Sequence, residues 1–243
     1  MPSEQFARRV ARPPTEAARS RVQRTLKLSQ LFERASRPTR EAAVNAGELE
    51  IAAGGTVVIA QGSAADAVMV IGRGRARVER VAADGSAVPL GYRGSGDVLG
   101  EACLGHAPEN AENATAMEEL EYVRIPIAIL DELLAEDAGL GPAVLGLLLA
   151  RQRDAEDRLE SLLFRNVEGR LVEFLIKAAE RWGVPTPKGT LISAPITHLE
   201  IAQSIGSTRE TVTLTLGALR REGLLDVAGR RLIVRDRDAL AAR

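Results

Sequence analysis

The hydrophobic period of this chain changes at Ala128, and no single architecture accommodates both halves of the pattern. Between Leu49 and Pro126 apolar residues come in short runs rich in β-branched side chains: Thr56-Val57-Val58-Ile59, Ala67-Val68-Met69-Val70-Ile71, Arg75 to Val81, and Tyr122 to Ile125. Gly54-Gly55, Gly62-Ser63, Gly72-Arg73-Gly74, Ala83-Asp84-Gly85 and Gly94-Ser95-Gly96-Asp97 punctuate them. Such turn signals between short strands predict a small antiparallel barrel or roll. Asp84-Gly85, lying between Arg77-Val78 and Val88-Leu90, predicts a hairpin. After Ala128 the steps become three and four. Leu140, Val144, Leu148, Arg151, Ala155, Leu159 and Leu162 make a heptad seam lasting about three heptads. A seam that long needs a partner. The charged run Arg151 to Arg158 does not suit the core of a monomer, which favours the same helix of a second chain; the alternative is the chain's own roll.

With 243 residues the chain has room for one to two domains, each with a core of its own. One cysteine, Cys103, excludes an intrachain disulfide and a paired-cysteine zinc site, and two histidines, His106 and His198, form no HExxH helix. No GxSxG, no phosphate loop ending in Gly-Lys-Ser/Thr, and no third glycine after Gly72-Arg73-Gly74 is present, so nothing points to an enzyme. The apolar run from Leu140 to Ala150 is too short for a membrane span of roughly 20 residues and contains Gly141 and Pro142. The opening MPSEQFARRVARPPTEAARS lacks an apolar stretch of signal-peptide length, and a reduced, cytoplasmic protein is the expectation.

The net charge of -1 hides local contrasts. Arg8, Arg9, Arg12, Arg19, Arg21, Arg24 and Lys27 oppose only Glu4 and Glu16 in the first thirty residues. This arm is either a solvated face or a flexible basic tail that touches nucleic-acid phosphates. Asp97, Glu101, Glu109, Glu112, Glu118, Glu119 and Glu121 fall in a stretch with no Lys or Arg. After the arm, Leu26, Leu28, Leu31 and Phe32 predict a short amphipathic helix.

The last stretch, Ile196 to Val234, carries the most specific signal. Thr197 with Glu200 three residues later is a capping box ahead of His198-Leu199-Glu200-Ile201. Ala202, Gly206 and Val212 then take the small, glycine and branched positions of a helix-turn-helix. Leu224-Leu225-Asp226-Val227 and Arg231-Leu232-Ile233-Val234, around Ala228-Gly229-Arg230, add a β-hairpin wing. At the start of the second helix, Arg209 has the donors for guanine O6 and N7, and Glu210 accepts from the cytosine N4 amine. Ser207, Thr208, Thr211 and Thr213 are short enough to reach phosphate oxygens, Arg230 adds a wing contact, and Thr197 and His198 stand at the mouth of the first helix. The competing reading of Arg209-Glu210 is an exposed ion pair.

Together, the glycine-punctuated roll, the long helix and Gly206-Ser207-Thr208-Arg209-Glu210-Thr211-Val212 resemble the cyclic-AMP receptor protein and fumarate-nitrate-reduction regulator (CRP/FNR) family of bacterial transcription factors. The likeness spans about Leu26 to Val234. Gly94-Ser95-Gly96-Asp97-Val98-Leu99-Gly100-Glu101 resembles the family's run into its effector loop, and Phe164-Arg165-Asn166-Val167-Glu168-Gly169-Arg170-Leu171 its hinge. The resemblance implies an α+β chain: a basic arm over 1–25, a cyclic-nucleotide-binding-like β-roll over 26–130, a dimerisation helix over 131–165 and a winged helix-turn-helix over 166–243. It also implies a homodimer on a palindromic operator in double-stranded DNA, contact with RNA polymerase, and a small-molecule effector.

The departures fall on the effector. By the resemblance its residues lie at Gly100, Glu101, Ala102 and Cys103, at Glu112, Asn113, Ala114 and Thr115, and at Ala155 and Glu156. Where cyclic-AMP-binding members carry an Arg-Ser pair for the phosphate, this chain offers Ala111-Glu112 or Glu112-Asn113, and the purine-facing hydroxyl pair becomes Ala155-Glu156. A carboxylate against a phosphate diester repels it, which speaks against cyclic AMP and leaves another nucleotide, a small organic acid or no ligand. Cys103 and His106 are haem-ligand types or oxidation sensors, or else purely structural; one cysteine excludes the iron–sulfur cluster of some members. On the recognition helix, Leu214 replaces the family's frequent Arg and Thr215 a usual core residue, which shifts the expected operator preference toward a thymine methyl. A rival class is a ligand-binding adaptor or regulatory subunit whose winged helix contacts protein.

Overall fold

A computed structural model describes residues 15–194 and 196–243 and divides the chain between Gln152 and Arg153 into two units. The first contains α1 (Glu16–Leu28), α2 (Arg37–Ala46), β1 (Glu48–Ala52), β2 (Val57–Ile59), β3 (Ala67–Arg73), β4 (Ala76–Val81), β5 (Ala87–Arg93), β6 (Val98–Leu99), β7 (Asn113–Ala116), β8 (Leu120–Pro126), α3 (Ile127–Glu136) and the start of α4 (Leu140–Phe164). Its strands form two antiparallel sheets, ordered β1-β8-β3-β6 and β2-β7-β4-β5.

The apolar runs of β3 and β8 arise because their sheet is buried on both faces. Side chains alternate across a strand. Val68 and Val70 therefore join a helical cluster with Val22, Leu26, Phe32, Leu130 and Leu140, while Met69 and Ile71, with Leu99 of the same sheet, turn to Ile59 and Val78 of the opposite sheet. On β8, Val123 and Ile125 face the helices and Leu120 and Tyr122 face the second sheet. The β4–β5 hairpin turns at Asp84-Gly85 as expected, with Asp84 Oδ1 accepting from the Ser86 amide at 2.9 Å.

Two differences from the sequence reading stand out. Residues 16–25, expected in a flexible arm, belong to α1, which Thr15 caps and which buries Val22, Thr25 and Leu26. Gly72 permits that packing, since a Cβ there would stand 2.4 Å from Thr25 Oγ1. Arg21 pairs with Glu121, so part of the arm's charge is spent inside the fold; Arg8, Arg9 and Arg12 lie outside the described residues. The span 131–165, expected as one helix, is broken between Glu136 and Leu140, where Asp137 accepts from the amides of Gly139 at 2.8 Å and Ser36 at 2.7 Å.

The seam also divides. Leu140 is fully buried, and Val144 and Leu147 pack on the helical cluster of the same unit, so the chain's own roll covers its first turns. Leu145, Leu148 and Leu149 remain exposed in this unit's part of α4, and Leu159 and Leu163 in the other's.

In the second unit, α5 (Val167–Trp182) buries Leu171, Val172, Leu175, Ala178 and Ala179, an i, i+1, i+4, i+7, i+8 stripe. It leads to β9 (Gly183–Thr186), β10 (Gly189–Ile192), α6 (His198–Ile205), α7 (Arg209–Arg221), β11 (Leu225–Ala228), β12 (Arg231–Val234) and α8 (Arg237–Ala241). The expected wing is present as β11–β12, but β10 and β9 extend it to a sheet ordered β11-β12-β10-β9. Because α1 is part of the core, Leu26→Ala is expected to lower stability by ~2–5 kcal/mol in urea unfolding; a change within error would return α1 to the status of a surface appendage.

Candidate nucleic-acid interface and effector region

The helix-turn-helix is set by its caps. Thr197 Oγ1 accepts from the Glu200 amide at 3.2 Å while Glu200 Oε2 accepts from the Thr197 amide at 2.8 Å, completing the capping box. Gly206 ends α6 at φ +61, a left-handed conformation that side chains strain. Arg170 of α5 donates through Nε to the Ile205 carbonyl at 2.7 Å and through Nη2 to that of Gly206 at 3.3 Å, satisfying acceptors at the helix end. Thr208 then caps α7 by accepting from the Thr211 amide at 3.2 Å.

The helix α7 buries Val212, Leu216 and Leu219, and α6 buries Ile201, Ala202 and Ile205. Arg209, Glu210, Thr213 and Leu214 are exposed. The competing ion-pair reading fails here, for no ion pair or hydrogen bond engages the Arg209 or Glu210 side chain among the described residues. The hydroxyls are more committed than expected. Thr208 Oγ1 and Thr211 Oγ1 lie 3.0 Å apart, and Thr213 Oγ1 donates to the Arg209 carbonyl at 2.8 Å and stands 2.9 Å from His198 Nδ1. Their first task is to hold the motif; Ser207 is half-buried behind them. Arg230 is exposed in the β11–β12 turn beside Gly229.

In the first unit, Gly100 takes φ +76 at the entry to a 3-10 turn, Glu101–Gly105. A Cβ there would stand 2.6 Å from the Ala67 carbonyl oxygen. Arg151 of α4 donates through Nε to Glu101 Oε1 at 2.8 Å and through Nη2 to the Val98 carbonyl at 3.0 Å. Glu112, the departure at the expected phosphate position, is half-buried. Burial raises its carboxyl above the usual range and Glu101 adds to that, while Arg93, Arg80 and Arg151 pull it back. Asn113 Oδ1 accepts from the Gln61 amide at 2.8 Å, Ala114 is core, and Thr115 lies in β7 between Val57 and Arg77. Ala102 is half-buried; Ala155 and Glu156 are exposed on α4.

The sequence reading missed the arginines. The acidic stretch is compensated by residues from other elements: Arg21 for Glu121, Arg75 for Glu118 at 2.8 Å, Arg73 for Glu119 at 3.8 Å, and Arg151 for Glu101. Arg93 is buried, with Nη1 donating to the Tyr92 carbonyl at 3.1 Å. A run of carboxylates without a local cation is the signal that could have prompted a search for distant partners.

Cys103 and His106 do not form a ligand pair. Cys103 is packed in the helical cluster with Val68 and Leu130, whereas His106 is exposed at φ +54. Burial pushes the thiol up to about 11, which keeps it protonated and unreactive near neutral pH.

Comparison with known proteins settles the lineage. Residues 49–137 match the cyclic nucleotide-binding domain and residues 169–243 the Crp-like helix-turn-helix domain. The global nitrogen regulator of Synechococcus elongatus is 30% identical over 182 residues, 74% of this chain and 82% of that one. The chain belongs to the CRP/FNR family. The CRP-like cAMP-activated global transcriptional regulator of Mycobacterium tuberculosis is 28% identical over 189 residues, 78% of this chain and 84% of its own length. FixK2 from Bradyrhizobium japonicum shares the fold at a TM-score of 0.72 and 22% identity, covering 81% of this chain and 96% of that one. This CRP/FNR chain is accordingly a transcription regulator with a helix-turn-helix domain, not an enzyme. No helix among the described residues is long and apolar enough to cross a membrane.

The state of Cys103 is open to measurement. A neutral thiol favoured by the fold stabilises it fully below the ordinary thiol pKa, and that contribution is lost as pH rises through about 11. We expect no labelling by a thiol-reactive dye in native buffer at pH 7.5 and full labelling in denaturant; rapid native labelling would contradict the burial.

Proposed function

We propose that the chain acts as a homodimeric, sequence-specific transcription regulator whose α7 enters the major groove of a palindromic operator. The observation that carries this is the exposed, unengaged pair Arg209 and Glu210 on the first turn of a rigidly capped helix. A guanidinium fork matches guanine O6 and N7, a carboxylate matches the cytosine amine, and each contact is worth ~1–3 kcal/mol of discrimination. Arg220, Arg221 and Arg230 are exposed in the same unit and supply phosphate contacts. Thr197, His198, Ser207, Thr208, Thr211 and Thr213 support the helix and meet the backbone, and Leu214 completes the reading face.

The dimer is supported by the exposed Leu145, Leu148 and Leu149 and by Leu159 and Leu163, apolar side chains on one long helix that its own units leave uncovered. A second copy of the same helix covers such a face isologously and doubles the recognition helix, which sets half-sites about one helical turn apart. The family likeness extends the reading to contact with RNA polymerase. An adaptor role would leave Arg209 and Glu210 without a purpose.

For the effector, the geometry argues against cyclic AMP. Glu112 stands at the position where the family likeness puts the phosphate contact, and Glu101, which that likeness assigns to the ribose, is already held by Arg151. Relatives differ in signal: one is named as cAMP-activated, and a structure sharing the fold is described as c-di-GMP responsive. Gly100, Glu101, Ala102, Glu112, Asn113 and Thr115, with Arg80, Arg93 and Arg151, form the region where another ligand would bind. Cys103 and Ala114 are core residues there and not contacts.

Selection from random duplexes is expected to enrich a palindrome, with Arg209→Ala relaxing one guanine per half-site while the salt slope stays nearly intact. Unchanged base preference removes Arg209 from the readout. The double substitution Leu145→Glu, Leu149→Glu is expected to halve the mass in sedimentation and weaken operator binding at least about tenfold. Millimolar cyclic AMP is expected to leave the melting temperature unshifted.

A further inference from the structure

Leu214 is 74% exposed, the most open leucine of the helix-turn-helix. At about 100° per residue it stands opposite the buried Val212–Leu216–Leu219 face of α7. The outward stripe runs Glu210, Leu214, Gly217, Arg221 at steps of four, three and four. Two residues on it make no sense for the isolated protein. Leu214 gains nothing from an apolar side chain held in water, and the neighbouring surface position Thr213 is already tied to the Arg209 carbonyl and His198. Gly217 is the second anomaly. Glycine is the least helix-favouring residue after proline, and a Cβ at this position would meet nothing within 4 Å, so no internal crowding demands it.

Both features fit one occupant. An aliphatic side chain in the major groove recognises the C5-methyl of thymine, the only apolar group displayed there. A bare backbone one turn later lets the helix approach the duplex more closely than any side chain permits. We infer that Leu214 is a specificity-determining residue that reads a thymine methyl in each half-site, one helical turn after the Glu210 contact, and that Gly217 is kept small so that α7 seats deeply enough for this contact. The inference rests on α7 being the groove helix. It adds a base that the Arg209–Glu210 pair does not read.

The test replaces each thymine of the selected operator in turn by deoxyuridine, which removes the methyl and preserves every hydrogen-bonding edge. With the full-length wild-type protein, one thymine per half-site is expected to lose about fourfold in affinity, the worth of one buried methyl. Leu214→Ala is expected to abolish that sensitivity and relax the same position in selection, and Leu214→Arg to move its preference toward guanine. Gly217→Gln is expected to raise the melting temperature and weaken operator binding. An enriched palindrome with no methyl-sensitive thymine, or with the sensitivity intact in Leu214→Ala, overturns the inference while leaving the DNA-binding reading standing. Failure to enrich any duplex overturns both. Undiminished binding by Gly217→Gln overturns the seating role of Gly217.

Discussion

The turn between α6 and α7 is the constraint on which the functional end of this molecule depends. Two helices can meet there only if the chain reverses through a left-handed residue, and Gly206 supplies it. A helix end so close to another leaves carbonyls with no helical partner, and Arg170 reaches them from α5. The guanidinium therefore acts as a third helix's hold on the turn. With that angle fixed, Val212 packs inward and Arg209, Glu210 and Leu214 point outward as a matter of helical period. Loss of Arg170 would cost more than its hydrogen bonds, because the direction of the reading face is what it secures.

The first unit solves a different problem, which is to keep many charges close to a sheet whose central strands, β3 and β8, are covered on both faces. Four carboxylates of its acidic run are paired with arginines from two helices, a strand and a strand turn far away in sequence. Partly exposed pairs of this kind are worth little individually. Their value lies in position, since Arg151 joins α4 to the loop that begins at Glu101. Four of the run's carboxylates are thereby paired, while the half-buried Glu112 is held above its usual range by burial.

The helix-turn-helix was fully legible, because each of its steps has a local chemical signature: a capping box, a left-handed glycine, a capping threonine and a branched core residue. The hairpin at Asp84-Gly85 and the apolar runs of β3 and β8 were legible for the same reason. What escaped notice depended on distant partners. β7 is built from small residues, Asn113-Ala114-Thr115-Ala116, whose pairing with Arg77 and Val57 no local pattern announces. β9 and β10 follow α5 without a break because Gly183 only marks a change of period. The heptad pattern placed one seam along α4, but Leu140 and Val144 found cover at home, and periodicity alone does not say which neighbour fills a groove. Leu26 belonged to a helix whose basic letters disguised its buried side.

The doubly covered sheet has an implication for how the sensor half of such a protein tolerates altered side chains. Residues of β3 and β8 answer to two interiors at once, so an altered volume at Val70 or Tyr122 must be accommodated on opposite sides of one backbone. The β4–β5 hairpin, with Ala82 to Ser86 in solvent, carries no such double obligation. Volume changes are therefore absorbed more cheaply at the rim of the roll than along its central strands, and arginines and carboxylates exchanged at that rim alter its charge without repacking either interior.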